Sequence, residues 1–151
     1  MAPTSTHIFR VSLLHTAKTY HDIEIASSAS LHDLAAAIVQ AFDFDLDHAF
    51  GFYSGKTPRT LMREEPKYEL FADMDDVDSD ALSVKRTTVA AAFPQPHHTV
   101  TFLFDYGDEW LFQVTQTGNG KKVPKTRYPK VLATQGASPA QYPDPDDMDE
   151  E

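Results

Sequence analysis

The stretch "FLFDYGDEWLFQV", residues 102–114, constrains the fold more than any other part of the chain. Two apolar arms alternate with period two around an acidic, glycine-containing centre, which is the pattern of a β-hairpin. Two registers compete. A two-residue loop at Gly107-Asp108 sets Phe104 against Leu111 and mixes apolar with polar groups on both faces. A three-residue loop, Tyr106-Gly107-Asp108, sets Phe104 against Trp110, Phe102 against Phe112 and Val100 against Val114, a continuous aromatic and β-branched ladder on one face. A slip of one residue turns every side chain to the opposite face, so the second register is the one the pattern specifies. It sets Asp105 directly against Glu109 with Asp108 alongside, and like charges so placed repel by roughly a few tenths of a kcal/mol. Water and a basic side chain are the simpler way to screen them; the alternatives are a divalent cation or an acid/base pair.

The rest of the chain alternates between the same period and a helical one. Residues 7–14, "HIFRVSLL", place Phe9, Val11 and Leu13 on a core face. After a polar turn, "HTAKT", residues 20–26 alternate again around Ile23 and Ile25, predicting an N-terminal β-hairpin. In "SSASLHDLAAAIVQAF" the period changes. Ser30 is a suitable N-cap with Asp33 three residues on, as in a capping box, and Leu31, Leu34, Ala35, Ile38, Ala41 and Phe42 form one stripe. This predicts the main helix over residues 31–42. Residues 49–53 look like a strand ending at Ser54-Gly55, residues 56–67 are irregular, and "YELFA" (68–72) suggests a short strand. "TTVAAAF" (87–93) predicts a short second helix capped by Thr87 or Thr88, and residues 99–117 the long late hairpin. "TGNGKK" (117–122) has the composition of a loop. The expected class is therefore α+β: a mostly antiparallel sheet with helices on one face, in a single domain over residues 1–137. Residues 138–151, acidic and proline-rich, are expected to stay disordered unless a partner orders them.

Charge and composition remove several function classes. The formal net charge is -10, but the last eight residues, "DPDDMDEE", hold six acids; without them 17 of the 23 acids face 13 bases, or -4. Binding to a phosphate backbone needs a basic face. The densest basic stretch, "GKKVPKTRYPK" (120–130), has the look of a solvated loop, so direct nucleic-acid binding is disfavoured. There are no cysteines, which excludes disulfides, thiolate metal sites and cysteine nucleophiles. No apolar run reaches the roughly 20 residues that span a bilayer, and "MAPTSTHIFR" has no signal-peptide pattern; a cytoplasmic protein away from membranes is expected.

The remaining motifs are weak. Asp76, Asp78 and Asp80 match the first EF-hand ligands, but Ala81 stands where glycine is needed and Thr87 where the bidentate glutamate belongs. "DFDLDH" places Asp43, Asp45 and Asp47 on one face of an extended segment, with Phe44, Leu46 and His48 on the other. His48 is a candidate ligand or base, although a half-buried histidine donating to a backbone carbonyl is the plainer reading. Phosphate-binding glycine loops and the nucleophile elbow are missing.

Here the residues resemble a known family. "SLHDLAAAIVQAFDFDLDHAFGF", then "FLFDYGDEWLF", then "RYPKVLATQGASPAQYP" is similar to the plasmid pRiA4b ORF-3-like family. The matching positions are Leu31, Leu34, Ile38, Phe42, Phe44, His48 and Phe52 in the first part, and Phe104, Asp105, Tyr106, Gly107, Asp108 and Trp110 in the hairpin. Tyr128, Pro129, Gly136 and Pro139 match the tail. Tyr20-His21 replaces the family's Trp-Arg, Phe112 stands where a histidine follows the tryptophan, and the tail cysteines and acids of the family are missing. The resemblance implies an α+β fold and an association of some members with mobile elements, but no biochemistry. The leading expectation is a non-enzymatic binding or adaptor module whose partner is a protein or a small-molecule ligand. Its surface would centre on His48, Asp105, Gly107, Asp108, Glu109 and Trp110, with no catalytic residue assigned and no cofactor. A metal-assisted, hydrolase-like enzyme holding a divalent cation at Asp105, Asp108 and Glu109 is the alternative, and a nucleic-acid-associated protein of a mobile element the second.

Overall fold

The structure, a computed structural model, describes residues 5–14, 16–55, 67–70, 82–95, 97–105 and 110–136. The expectations placed on the acidic loop at 73–80, on the hairpin tip at 106–109 and on the segment 138–151 lie outside the described residues.

Strands β1 (Ser5–Leu13), β2 (Thr16–Ala26), β3 (Phe50–Tyr53), β4 (Lys67–Glu69), β5 (Leu82–Ser83), β6 (Thr99–Phe104), β7 (Trp110–Lys121) and β8 (Lys130–Gln135) form one sheet in the order β5-β4-β3-β6-β7-β1-β2-β8. All neighbours are antiparallel except β4 and β5. Helices α1 (Leu31–Ala41) and α2 (Val89–Ala92) supply the residues that cover one face. The architecture is α+β, dominated by its sheet.

The face under α1 is aromatic. Phe9, Phe50, Phe52, Phe102, Phe104 and Phe112 from the strands join Leu31, Leu34, Ile38 and Phe42 of the helix in one cluster, each essentially without exposure. Burying a side chain of that size contributes roughly 1.5–3 kcal/mol, and the rings meet tilted or edge-on, as between Phe42 and Phe112 at 4.8 Å, an arrangement their quadrupoles favour. The opposite face buries a smaller set, Tyr53, Leu103 and Leu111.

The main helix starts as its sequence demands. Ser30 Oγ accepts from the Asp33 N–H at 3.0 Å and the Asp33 carboxylate accepts from the Ser30 N–H at 3.2 Å, a capping box that satisfies two otherwise orphan donors. It ends through Asp43, whose φ of 62° is left-handed. The N–H of Asp43 donates to Gln40 and that of Phe44 to Val39, a Schellman motif with aspartate where glycine is commonest.

Three expectations are corrected. "TGNGKK" is not a loop: β7 continues to Lys121 because Gly118, Asn119, Gly120 and Lys121 pair with Ile8, His7, Thr6 and Ser5 of β1. A Cβ on Gly120 would lie 2.8 Å from both Thr6 Oγ1 and Glu24 Oε2, so glycine here permits a close approach and does not mark a turn. The polar turn after β1 is tighter than "HTAKT", since β2 already begins at Thr16. Finally, residues 130–135, to which sequence patterning assigns nothing, form the edge strand β8 against β2.

Candidate functional site

The ladder between β6 and β7 runs Thr99–Thr115, Val100–Val114, Thr101–Gln113, Phe102–Phe112, Leu103–Leu111 and Phe104–Trp110. It stops there. Asp105 leaves the strand with a left-handed backbone, φ 66°, a conformation that aspartate tolerates better than most residues. Its N–H donates to the Ala49 carbonyl at 2.9 Å. That bond extends the pairing of β3 with β6, in which Phe50 faces Phe104. The residues just before β3 therefore sit beside the residue just after β6, and His48 meets Asp105 although 57 positions separate them in the chain.

The His48 Nε2 lies 3.4 Å from Asp105 Oδ2 and 3.6 Å from Asp47 Oδ1. The two partners differ in setting: the His48 side chain is 39% exposed, that of Asp105 only 10%. Edge-on contact with Phe104, at 6.1 Å between ring centroids, backs the imidazole. His48 is more exposed than the half-buried histidine of the plainer expectation, and its ring is held against a mostly buried carboxylate. Nor do the residues of "DFDLDH" alternate about an extended segment. The helix-ending turn at Asp43 sends Phe44 into the core, Leu46 is exposed, and a bond from Asp47 N–H to Asp45 C=O bends the chain, so Asp47 and His48 share one side.

Trp110 closes the ladder opposite Phe104. Its ring is half-buried and packs edge-on against Phe44 at 4.9 Å. Its indole N–H is buried and finds no acceptor among the described residues; a buried donor left unmatched costs roughly 1–3 kcal/mol. Of the expected site residues the structure brings together His48 and Asp105, while Trp110 faces Phe104 across the ladder; Gly107, Asp108 and Glu109 are outside the described residues. Among the described residues no three His, Cys, Asp or Glu side chains gather as a metal-binding group. Sequence reasoning missed the pairing of Asp47 with His48 and the anchoring role of Ala49. The first needed the turn geometry and the second the β3–β6 register, and neither leaves a local signal.

A mostly antiparallel sheet with helices on one face, and the Asp105 carboxylate at the end of β6 beside a histidine from the segment entering β3, define an α+β protein with a polar pair at one end of its sheet. The chain belongs to the plasmid pRiA4b ORF-3-like family, whose model matches residues 6–145. It is similar in fold to the protein of unknown function MM3350 from Methanosarcina mazei Go1. The TM-score is 0.71 at 18% sequence identity, over 91% of this chain and 72% of that one. No curated protein matches. Among the described residues no helix is long and apolar enough to cross a membrane.

Proposed function

We propose that the protein is a non-enzymatic binding module whose recognition surface is the hairpin tip around His48, Asp105 and Trp110. One observation carries this: an exposed imidazole is held against a largely buried carboxylate at the end of a rigid strand pair. A carboxylate behind an imidazole orients the ring, so the couple presents a positioned polar group to a protein or small-molecule ligand. The same couple supports a second reading. Histidines that bind metal are commonly oriented by a carboxylate, and the sequence supplies Asp108 and Glu109 nearby.

A ligand-observed NMR screen of a small-molecule library against the wild-type chain and His48→Ala tests the first reading. Compounds that bind the wild type and lose at least tenfold in affinity with His48→Ala support it; a screen in which every hit binds both chains equally overturns it. Thermal melting with millimolar magnesium, calcium, manganese or zinc tests the second. A rise in Tm lost in Asp105→Asn replaces the binding module with a metal-assisted site.

A further inference from the structure

Far from the hairpin tip, a groove follows the open side of α1. The edge strand β8 lies beyond the helix, so Val131 stays 50% exposed although it pairs with buried Ile23. Three contiguous cavities fill this space. The first, about 120 Å³, lies between Ile23, Ala37 and Val131. The second, about 350 Å³, runs along Ala36, Ala37 and Gln40 to Tyr128 and Pro129, and also reaches Asp33, whose carboxylate is already engaged by the Ser30 N–H. The third, about 480 Å³, continues from Tyr128 to Lys122, Val123 and Lys125. The result is an open groove of mixed polar and apolar lining with a basic end.

Lys121, Lys122, Lys125 and Arg127 are all exposed, and none has a carboxylate within ion-pair distance among the described residues, while Lys130 nearby is paired with Glu24 at 3.7 Å. These four cations lie within seven residues of a chain of formal charge -10. The same chain carries its largest acid excess at the other end of the sequence, six carboxylates in residues 144–151.

We propose that the groove is the docking site of the chain's own acidic segment, residues 144–151, with its carboxylates on Lys122 and Lys125. The chain is long enough. β8 runs away from the groove for six residues, Lys130–Gln135, about 17 Å at about 3.3 Å per residue. The eight residues from Gly136 to Pro143 reach about 27 Å when extended, which returns residue 144 to the start of β8. A tether this short holds the acidic segment at roughly millimolar effective concentration, which favours it over an acidic partner in trans. The net negative charge of the whole chain disfavours a nucleic acid, and the Ala, Pro and Val side chains along the open groove suit a peptide whose acids are interrupted by Pro145 and Met148.

The test uses the full-length chain at low micromolar concentration. A water-soluble carbodiimide joins amines to carboxylates that touch, and the products are mapped by mass spectrometry. Cross-links from Lys122 and Lys125 to residues 144–151, confined to the monomer and reduced at least fivefold in 0.5 M salt, are expected. In parallel, a full-length variant with residues 144–151 neutralised (Asp→Asn, Glu→Gln) is expected to shift the backbone amide resonances of Ala26, Ala37, Gln40 and Val131 in NMR spectra, and Lys122→Glu with Lys125→Glu to produce the same shifts. Three results overturn the proposal: cross-links only between two copies, no difference between the spectra of the wild type and the neutralised variant, or a DNA or RNA oligonucleotide bound by the wild-type chain through Lys122 and Lys125.

Discussion

At its Trp110 end β7 carries an apolar ladder, and at its Lys121 end it carries a polar one. The first half faces β6 and α1: Phe112 is fully buried between Phe102 and Phe42, and Val114 is buried opposite Val100 and Val11. Among the described residues the second half pairs with β1 and, at Gln116, with the segment before β6, and hydrogen bonds are buried around it. His7 Nδ1 lies 2.7 Å from Ser27 Oγ and its Nε2 3.1 Å from the Phe93 carbonyl. Asn119 Nδ2 donates to the Thr6 carbonyl, and Thr6 Oγ1 donates to Glu24 at 2.6 Å. Apolar burial is non-directional and adds up ring by ring. A polar network is worth little net while satisfied, but removing one partner exposes the full desolvation cost of the other. The two halves of one strand should therefore fail differently.

The largest effect belongs to the apolar half. Phe112→Ala removes a ring packed against Phe42, Phe44 and Phe102 and should cost about 3–5 kcal/mol, transfer plus cavity. Urea unfolding would show this as a lower midpoint with an unchanged slope. If the loss stays below about 1 kcal/mol, the ladder is not what holds this end together and the contrast collapses.

In the polar half the informative change adds an atom. Gly120→Ala puts a methyl group 2.8 Å from Thr6 Oγ1 and Glu24 Oε2, so the Thr6–Glu24 hydrogen bond must open around a carboxylate that is 8% exposed. About 1–3 kcal/mol should be lost. In a Thr6→Ala background the same change should cost at least about 0.5 kcal/mol less, since neighbouring sites couple. An additive double-mutant cycle would show that backbone contact, and not this hydrogen bond, sets the requirement for glycine.

Where the two halves were legible follows from the same physics. The ladder, the capping box at Ser30 and Asp33 and the helix stripe could be read because each recurs at a period the backbone imposes. The continuation of β7 through "TGNGKK" could not: its glycines permit close approach to β1, and its Asn119 satisfies a backbone carbonyl from 113 residues away. His7 and His21, which no spacing distinguishes, are both buried. At the candidate site His48 and the acidic residues were both visible, but their direct pairing was not, because the meeting of His48 with Asp105 depends on the β3–β6 register. The edge strand β8 lacks a buried face, so no alternation announces it.

A smaller effect sits where apolar and polar packing meet. His21 touches the edge of Phe42 at 4.4 Å and brings Nδ1 to 3.1 Å from Thr134 Oγ1. Burial pushes its imidazole below the ordinary histidine range, against the opposing pull of the Asp22 carboxylate. The unfolded chain takes up the proton near pH 6.5, the folded chain only at lower pH. The unfolded state thus binds more protons in between, and stability rises with pH there. The contribution is complete above about pH 6.5 and is lost as the pH falls below it. Urea midpoints at pH 7.5 and 5.5 should therefore drop more for the wild type than for His21→Gln; an equal drop would assign the acid sensitivity to other groups.

The smallest expected effect separates geometry from charge at the tip of the apolar half. Asp105 combines a left-handed backbone, a main-chain bond to Ala49 and a carboxylate facing His48. Asparagine tolerates the left-handed region as aspartate does, and alanine does not. If backbone geometry dominates, Asp105→Asn should be nearly neutral while Asp105→Ala costs about 1 kcal/mol, the penalty for a side chain without local hydrogen bonding in that conformation. If the charge facing His48 dominates, the two variants should lose equal stability, and His48→Ala should erase the difference between wild type and Asp105→Asn. Because His48 is well exposed, its own removal should change stability by no more than about 0.5 kcal/mol. A tip that tolerates both Asp105→Asn and His48→Ala, yet loses ligand with either, would be a surface kept for recognition at little cost to the fold.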